Sequence, residues 1–473
     1  MNRPSKNKMY IWLIAAVTFV LTYVLIHLIA SYEGIFVNTE DNTYMNVFFE
    51  IGIALFSLLI VGITGYYLSS VWEKKNITPQ NLLAISILMV GTLCLSFLMH
   101  RFSPYALPII IVPLILTFIT NRRTADIMTL IMTISLMPFY FAVPVVFFMN
   151  LFTGVLASSL ASKINQRREF PVLGIALAIS NILVLFIFNT IAGFKFDEFL
   201  INALITGVIT FGCVIMTIGL LPFFETISGI ISSFQLMDLA NPTNKLLKRL
   251  TVEAPGTYYH SIMVGNLAEA AAEKVGANAL LARVAAYYHD VGKLKDPTCF
   301  MENQHGENVH DDMDPYESAN IIISHTEDGV KIAQKYKLPP QIIEIIGQHH
   351  GNTIVACFYK KACDMAVNDM FVNEEDFKYK SEKPSSKEAA IIMLADSVEA
   401  ATKALADKSS EKIKQRIDTV VSGKIANGQL DNCGLTLNDI SVIKEQFFLS
   451  VSAYYHKRDE YPDAKERKWK INV

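Results

Sequence analysis

An all-α membrane protein is the fold that the sequence predicts: a polytopic bundle of transmembrane helices followed by an all-helical soluble domain. Three observations carry this. The chain of 473 residues is 52% hydrophobic, more than a wholly soluble protein normally carries. Its charge is unevenly divided, with only 12 of the 41 Lys/Arg and 9 of the 44 Asp/Glu in residues 1–224. In the second half, apolar residues recur at helical spacing and strand signals are few.

The membrane half is read first. Arg3, Lys6 and Lys8 precede an apolar run of about 22 residues that resembles an uncleaved signal anchor. Apolar runs then occur at roughly 9–31, 50–72, 81–99, 105–120, 127–141, 143–162, 171–192 and 200–224. A helix needs ~20 apolar residues to span a bilayer. Stretch 127–162 is too long for one span and short for two, with Pro138 and Pro144 in its middle. Loop charge settles the count. Eight crossings place Arg3/Lys6/Lys8, Lys74/Lys75, Arg122/Arg123 and Lys163/Arg167/Arg168 on the inner side, where basic residues concentrate. Both termini are then cytoplasmic. Glu50 falls at a membrane boundary and His27 near the end of the first run. No run carries a chain of buried ionisable residues, which weighs against a transporter.

The domains expected are a transmembrane region at 1–224, a connector at 225–250 and a soluble domain at 251–473. The soluble part holds the remaining 29 basic and 35 acidic residues, an acidic balance that argues against a nucleic-acid polymer as partner. Its helical segments include HSIMVGNLAEAAAEKV, LLARVAAYYHDVGK, SANIIISHTEDGVKIAQKY and KEAAIIMLADSVEAATKAL. Residues 368–386 are polar and read as a loop or disordered excursion. The six cysteines form no CxxC pair, so a zinc ribbon has no support.

Chemistry concentrates in five histidines and two aspartates of this domain: His260, His289, Asp290, His325, His349, His350 and Asp396. In His289-Asp290-Val291-Gly292-Lys293, the adjacent imidazole and carboxylate can meet one metal, or Asp290 can bridge two. Gly292 allows close approach to a ligand, and Lys293 is a point charge suited to a phosphate oxygen. His349-His350 is a second adjacent pair, and Asp396 sits in the apolar setting IIMLAD. Imidazole and carboxylate donors suit iron, manganese or zinc. Such a set supports two-metal hydrolysis, in which an activated water attacks phosphorus without a nucleophilic side chain. His305 and His310, in a polar loop, are candidate substrate contacts. So are Tyr258, Tyr259, Tyr287 and Tyr288, whose rings could stack on a base.

The order H…HD…H…HH…D resembles the HD-domain phosphohydrolases. The stretches APGTYYHS, NALLARVAAYYHDVGKLKDP, IIGQHHGNTIVACFYKKA and LADSVEAATK bring it closer to the membrane-anchored 7TM-HD family. That resemblance implies hydrolysis of cyclic di-AMP to pApA at two divalent metal ions, manganese or iron, in a domain facing the cytoplasm of a multi-pass cell-membrane protein. It implies that His260, His289, Asp290 and Asp396 hold one metal. Asp290, His325, His349 and His350 would hold the other, and Lys293 would contact phosphate. Beyond the cyclic dinucleotide, the partners expected are the lipid bilayer and a second copy of the chain in a homodimer. Two features depart from the family. Its large extracellular domain is replaced by an interval of about 32–49, and one of two customary histidines is Tyr259. Two rival readings stay open. One is an HD hydrolase acting on another nucleotide, with cyclic di-GMP disfavoured by the absence of a GYP element. The other is a non-catalytic membrane receptor whose domain only binds nucleotide.

Overall fold

The computed structural model describes residues 6–32, 43–70, 78–137, 143–164, 166–192, 195–304, 306–366 and 372–455. Most of the interval at 32–49, together with Arg3, Lys74, Lys75, Pro138 and His305, lies outside the described residues. Among those described, regular structure is helical, and an isolated bridge between Ile354 and Lys378 is the only β contact. The chain divides into two compact units, Met1–Gln235 and Leu236–Val473.

The first unit contains α1 (Lys6–Tyr32), α2 (Thr43–Ser70), α3 (Pro79–His100), α4 (Ile111–Ile119), α5 (Arg122–Ser135), α6 (Val145–Ala161), α7 (Phe170–Ala192) and α8 (Phe196–Ser228). Five stretches, Met9–Ser31, Val47–Leu68, Pro79–His100, Arg167–Ile191 and Phe196–Ser228, are long and apolar enough to cross a membrane. The run at 105–120 yields only the nine-residue α4, about 14 Å long against a hydrocarbon core of ~30 Å. Residues Ile111 to Leu116 are all buried, as expected of a helix that is apolar all round and enclosed by other helices. Hydroxyls in the bundle turn back on their own helices. Thr92 donates to the Leu88 carbonyl, Thr129 to Ala125 and Thr217 to Cys213. Between helices, Thr153 donates to Asn181 Oδ1 at 2.6 Å, and Asn181 Nδ2 donates to Thr210 at 2.8 Å. His27 and Glu50 join α1 to α2, with Nε2 at 2.7 Å from Oε1 and the Tyr23 hydroxyl donating to Oε2. Gly229 ends α8 in the left-handed conformation, φ 67°, with its N–H on the Glu225 carbonyl.

A short helix, α9 (Ser233–Ala240), runs across the division between the units. The second unit continues with α10 (Lys245–Glu253), α11 (Pro255–Lys274), α12 (Ala279–Tyr288), α13 (Pro315–Lys335), α14 (Pro340–Gln348), α15 (Ala356–Met365), α16 (Lys387–Lys403), α17 (Ser410–Ala426) and α18 (Leu437–Tyr455). Helix α11 packs against α12, α16 and α18, and a 3₁₀ turn at Val291–Lys295 packs on α13. That packing explains Gly292. A Cβ there would lie 1.8 Å from the His325 carbonyl oxygen and 2.6 Å from Gly329 N. The close approach expected toward a ligand is instead an approach of backbone to backbone, which brings His289 and Asp290 beside His325.

Of the polar stretch at 368–386, residues 368–371 lie outside the described residues, and 372–386 form a loop with a 3₁₀ turn at Glu374–Phe377. Val355 N–H donates to the Phe377 carbonyl and Tyr379 N–H to the Thr353 carbonyl, while Phe377 and Tyr379 are buried. Two inward aromatics hold a segment whose average composition is polar.

Candidate metal centre

Five structural elements deliver the seven side chains. His260 comes from α11, His289 and Asp290 from the end of α12, His325 from α13, His349 and His350 from the end of α14, and Asp396 from α16. The structure brings all seven together. They form two groups, Asp290/His325/His349/His350 and His260/His289/Asp396, each with ligand atoms within 4.8 Å of one another.

Asp290 stands between the groups. Its Oδ2 lies 3.3 Å from His289 Nε2 and 3.7 Å from His260 Nε2. Its Oδ1 lies 3.3 Å from His325 Nε2 and 3.7 Å from His349 Nε2. Asp396 Oδ1 is 3.0 Å from His260 Nε2, and its Oδ2 is 3.7 Å from His350 Nδ1.

Three imidazoles are oriented by the same device. The Nδ1 atoms of His289, His325 and His349 lie 2.6, 2.6 and 2.7 Å from the carbonyls of Ala286, Ile322 and Ile346, each three residues earlier. Only a protonated Nδ1 can donate there, and in a neutral imidazole that leaves the lone pair on Nε2, on the side of Asp290, the tautomer a metal ligand needs. His260 is oriented by Glu399, whose Oε2 is 2.7 Å from Nδ1. Buried His289 Nε2 and Asp290 Oδ1 have no hydrogen-bond partner. Such orphans are costly. A cation between imidazole nitrogens and carboxylate oxygens removes that cost, so the residues fit divalent metals.

The electrostatics agree with that fit. Burial pushes the His349 pKa down to about 4 and holds His350 well below its usual value, so both are neutral donors. Burial opposes ionisation of Asp290, but His289 and Lys293 outweigh it and hold the carboxyl well below the usual range. Burial likewise opposes charge on His260, yet the bonds to Asp396 and Glu399 prevail and raise its pKa to about 10. A cation bound at His260 takes the place of that proton.

The other candidates separate clearly. Lys293 is not a solvated surface lysine. Its Nζ is 2.7 Å from both Asp290 Oδ2 and Glu302 Oε1, and it lies over the Phe300 ring. Tyr259 is exposed and lines a cavity of about 300 Å³ with His260, Glu399 and Tyr454. His310 is buried against Phe358, with Nε2 on the Cys299 carbonyl, and none of its described contacts is with the seven. Tyr287 and Tyr288 are buried in helix packing, the Tyr288 hydroxyl donating to the Leu239 carbonyl. Three neighbours escaped sequence reasoning. Glu399 had a signal, since it lies three residues after Asp396 on the same helical face. Glu302 and Tyr379 had none, being in polar loops.

Comparison with known proteins places these features in context. Residues 47–232 match the family described as 7TM receptor with intracellular HD hydrolase, and residues 257–401 match the HD domain. The cyclic-di-AMP phosphodiesterase PgpH of Bacillus subtilis is 35% identical over 438 residues, 88% of this chain and 60% of that protein. Its namesake from Listeria monocytogenes is 33% identical over 430 residues, 88% of this chain and 59% of that protein. The chain therefore spans about 60% of the length of these relatives. A crystal structure of the L. monocytogenes PgpH HD domain in complex with cyclic-di-AMP is 43% identical. It covers 46% of this chain and 99% of its own, with a TM-score of 0.43.

Proposed function

The chain belongs to the 7TM-HD family of membrane proteins bearing an HD hydrolase domain, and from that premise we propose that it hydrolyses cyclic di-AMP to pApA. The observation that carries the reading is Asp290, whose two oxygens face two separate groups of imidazole and carboxylate donors. His260, His289 and Asp396 with Asp290 Oδ2 would hold one divalent cation. His325, His349 and His350 with Oδ1 would hold the other. Manganese and iron both suit these donors. Two such cations would supply an acidified water and take up the negative charge that develops on the phosphoryl oxygens.

The chain's own residues do the rest. The three carbonyl-anchored imidazoles and the Glu399–His260 pair keep the donors aimed, so little reorganisation is needed. Lys293 is held at the edge of the centre by Glu302, where its ammonium can meet a phosphate oxygen. The choice of cyclic di-AMP is supported by the named relatives. Attack of one water on one phosphodiester gives the linear dinucleotide.

The test uses the full chain in detergent, incubated with manganese and either cyclic di-AMP or cyclic di-GMP, with products identified by mass. The expected result is pApA as the dominant product. Faster cleavage of cyclic di-GMP would overturn the substrate. Tight nucleotide binding without turnover would favour the receptor reading instead.

For topology we propose eight crossings within 1–224, the run at 105–120 crossing as the enclosed α4 together with the non-helical residues before it, a connector at 225–250 and the HD domain at 251–473 in the cytoplasm. Reporter fusions after residues 75, 123, 168 and 240 should all report cytoplasm. An external signal at 240 overturns the parity.

A further inference from the structure

Four of the five histidines at the centre have an obvious orienting partner, and His350 does not. His289, His325 and His349 donate from Nδ1 to a carbonyl three residues earlier, and His260 is held by Glu399. Helix α14 ends at Gln348, so His350 lies beyond the regular backbone, and Gly351 then turns left-handed at φ 55°. This departure lets two adjacent histidines share one centre, but it takes the His350 ring out of the helical frame. No carbonyl anchors that ring among the described residues. Asp396 Oδ2 is 3.7 Å from its Nδ1, too far for a hydrogen bond. His350 is also the most exposed of the five histidines, with 19% of its side chain accessible.

What lies against the ring is aromatic. Tyr379 stacks on His350 with centroids 4.4 Å apart and planes 29° apart, and meets His325 edge-on at 5.9 Å. The other rings touching His350 are His349 at 4.1 Å and His325 at 5.1 Å, both ligand candidates themselves. Tyr379 is the only non-ligand ring in contact with it among the described residues. It is itself firmly placed. Its N–H donates to the Thr353 carbonyl at 2.9 Å, the Ile354–Lys378 bridge lies beside it, and Phe377 is buried against Tyr316 and Tyr359. The strap at 377–379 is thus fastened to residues 353–355, the same stretch that follows the histidine pair.

We propose that Tyr379 is a positioning residue: its ring, presented by the strap, takes over for His350 the orienting role that backbone carbonyls and Glu399 play for the other four. This rests on the metal-binding reading of the seven side chains. The flat face, and not the hydroxyl, carries the role. A phenyl ring should therefore replace it, and a flexible side chain of similar volume should not. The effect should fall on the cation held by Asp290, His325, His349 and His350, leaving the group of His260, His289 and Asp396 intact.

The test is manganese binding by the full chain in detergent, read as a two-site isotherm by metal analysis and as the spin-coupled signal of a manganese pair. Tyr379→Phe should bind two ions as the wild type does. Tyr379→Met should keep one site and weaken the other by roughly ten- to a hundredfold, the usual cost of losing a partner behind a ligand. In a His350→Ala background, Tyr379→Met should add nothing further. Circular dichroism of the metal-free variants checks that all are folded. If Tyr379→Met retains two ions at wild-type affinity, weakens both sites equally, or acts additively with His350→Ala, the proposal is overturned. A Phe variant as impaired as Met overturns it too, and that variant keeps the ring volume, so it decides the matter even where Met unfolds. A wild-type chain that binds no manganese would instead refute the metal reading.

Discussion

Both units bury polar groups, and they differ in where the unsatisfied ones converge. In the membrane unit the groups close on each other, as in the Thr153–Asn181–Thr210 chain across α6, α7 and α8. The hydroxyls that lack a partner there, Ser57, Ser96 and Thr206, are on three different helices. The second unit has scattered cases too, at Ser261, Ser318, Ser452 and His310 Nδ1, but there an imidazole nitrogen and a carboxylate oxygen of adjacent residues, His289 Nε2 and Asp290 Oδ1, are also left without hydrogen bonds in one place. A lone buried hydroxyl without a partner costs about 1–3 kcal/mol, less than an unpaired charged group. Converging unsatisfied donor atoms of high basicity are expensive, and they persist where a ligand completes them. Self-satisfied polarity holds helices together, whereas polarity left open is available for chemistry.

Substitutions can break or sharpen this contrast. The largest effect should come from Asp290→Ala, which removes the group facing both sets of donors. Turnover of cyclic di-AMP should fall below detection and bound metal should drop, while helical content by circular dichroism survives. Full metal loading in that variant would refute the bridging role.

Lys293→Ala should keep both metals and slow hydrolysis by roughly ten- to a thousandfold, the loss of a transition-state contact worth ~1.4–4 kcal/mol. Metal content and turnover measured on one preparation separate the two roles. Unchanged turnover would show that the Asp290–Lys293–Glu302 linkage is only structural.

Glu399→Gln tests whether a carboxylate behind His260 matters to the metal in front of it. Affinity at the site of His260, His289 and Asp396 should weaken by roughly tenfold or more, and equilibrium dialysis against manganese reads it. Equal affinity would mean that α16 contributes only Asp396.

The smallest effect belongs to the membrane unit. Asn181→Ala should cost about 0.6–2 kcal/mol of stability, the range for hydrogen bonds between membrane helices, seen as an earlier unfolding transition in detergent. Metal content should not change. A loss of metal here would show that the membrane bundle's polar network and the metal centre are energetically one system.

Much of this protein was legible along the chain. Membrane helices announce themselves by length and apolarity, because a bilayer rewards both without reference to any partner. The seven candidate ligands were legible for a related reason. Imidazole and carboxylate are scarce in apolar helices, so His289-Asp290, His349-His350 and Asp396 in IIMLAD stand out against their surroundings. Glu399 was within reach, since helical spacing alone puts it beside Asp396.

Tertiary structure decided the rest, because it depends on which distant backbone arrives where. Spacing could not show that Asp290 divides its oxygens between two groups, since His260 and His325 come from helices on either side of it in the chain. Gly292 looked like room for a ligand and is room for the His325 carbonyl. The apolar run at 105–120 looked like one full-length helix, and its helical part is the nine-residue α4, buried among other helices. The stretch around Tyr379 averaged as polar, yet two inward aromatics and two backbone hydrogen bonds to residues 353–355 order it. Residue identity and local periodicity are properties of the chain itself. The partner that completes a hydrogen bond, a ring stack or a close backbone approach is a property of the fold, and no local pattern encodes it.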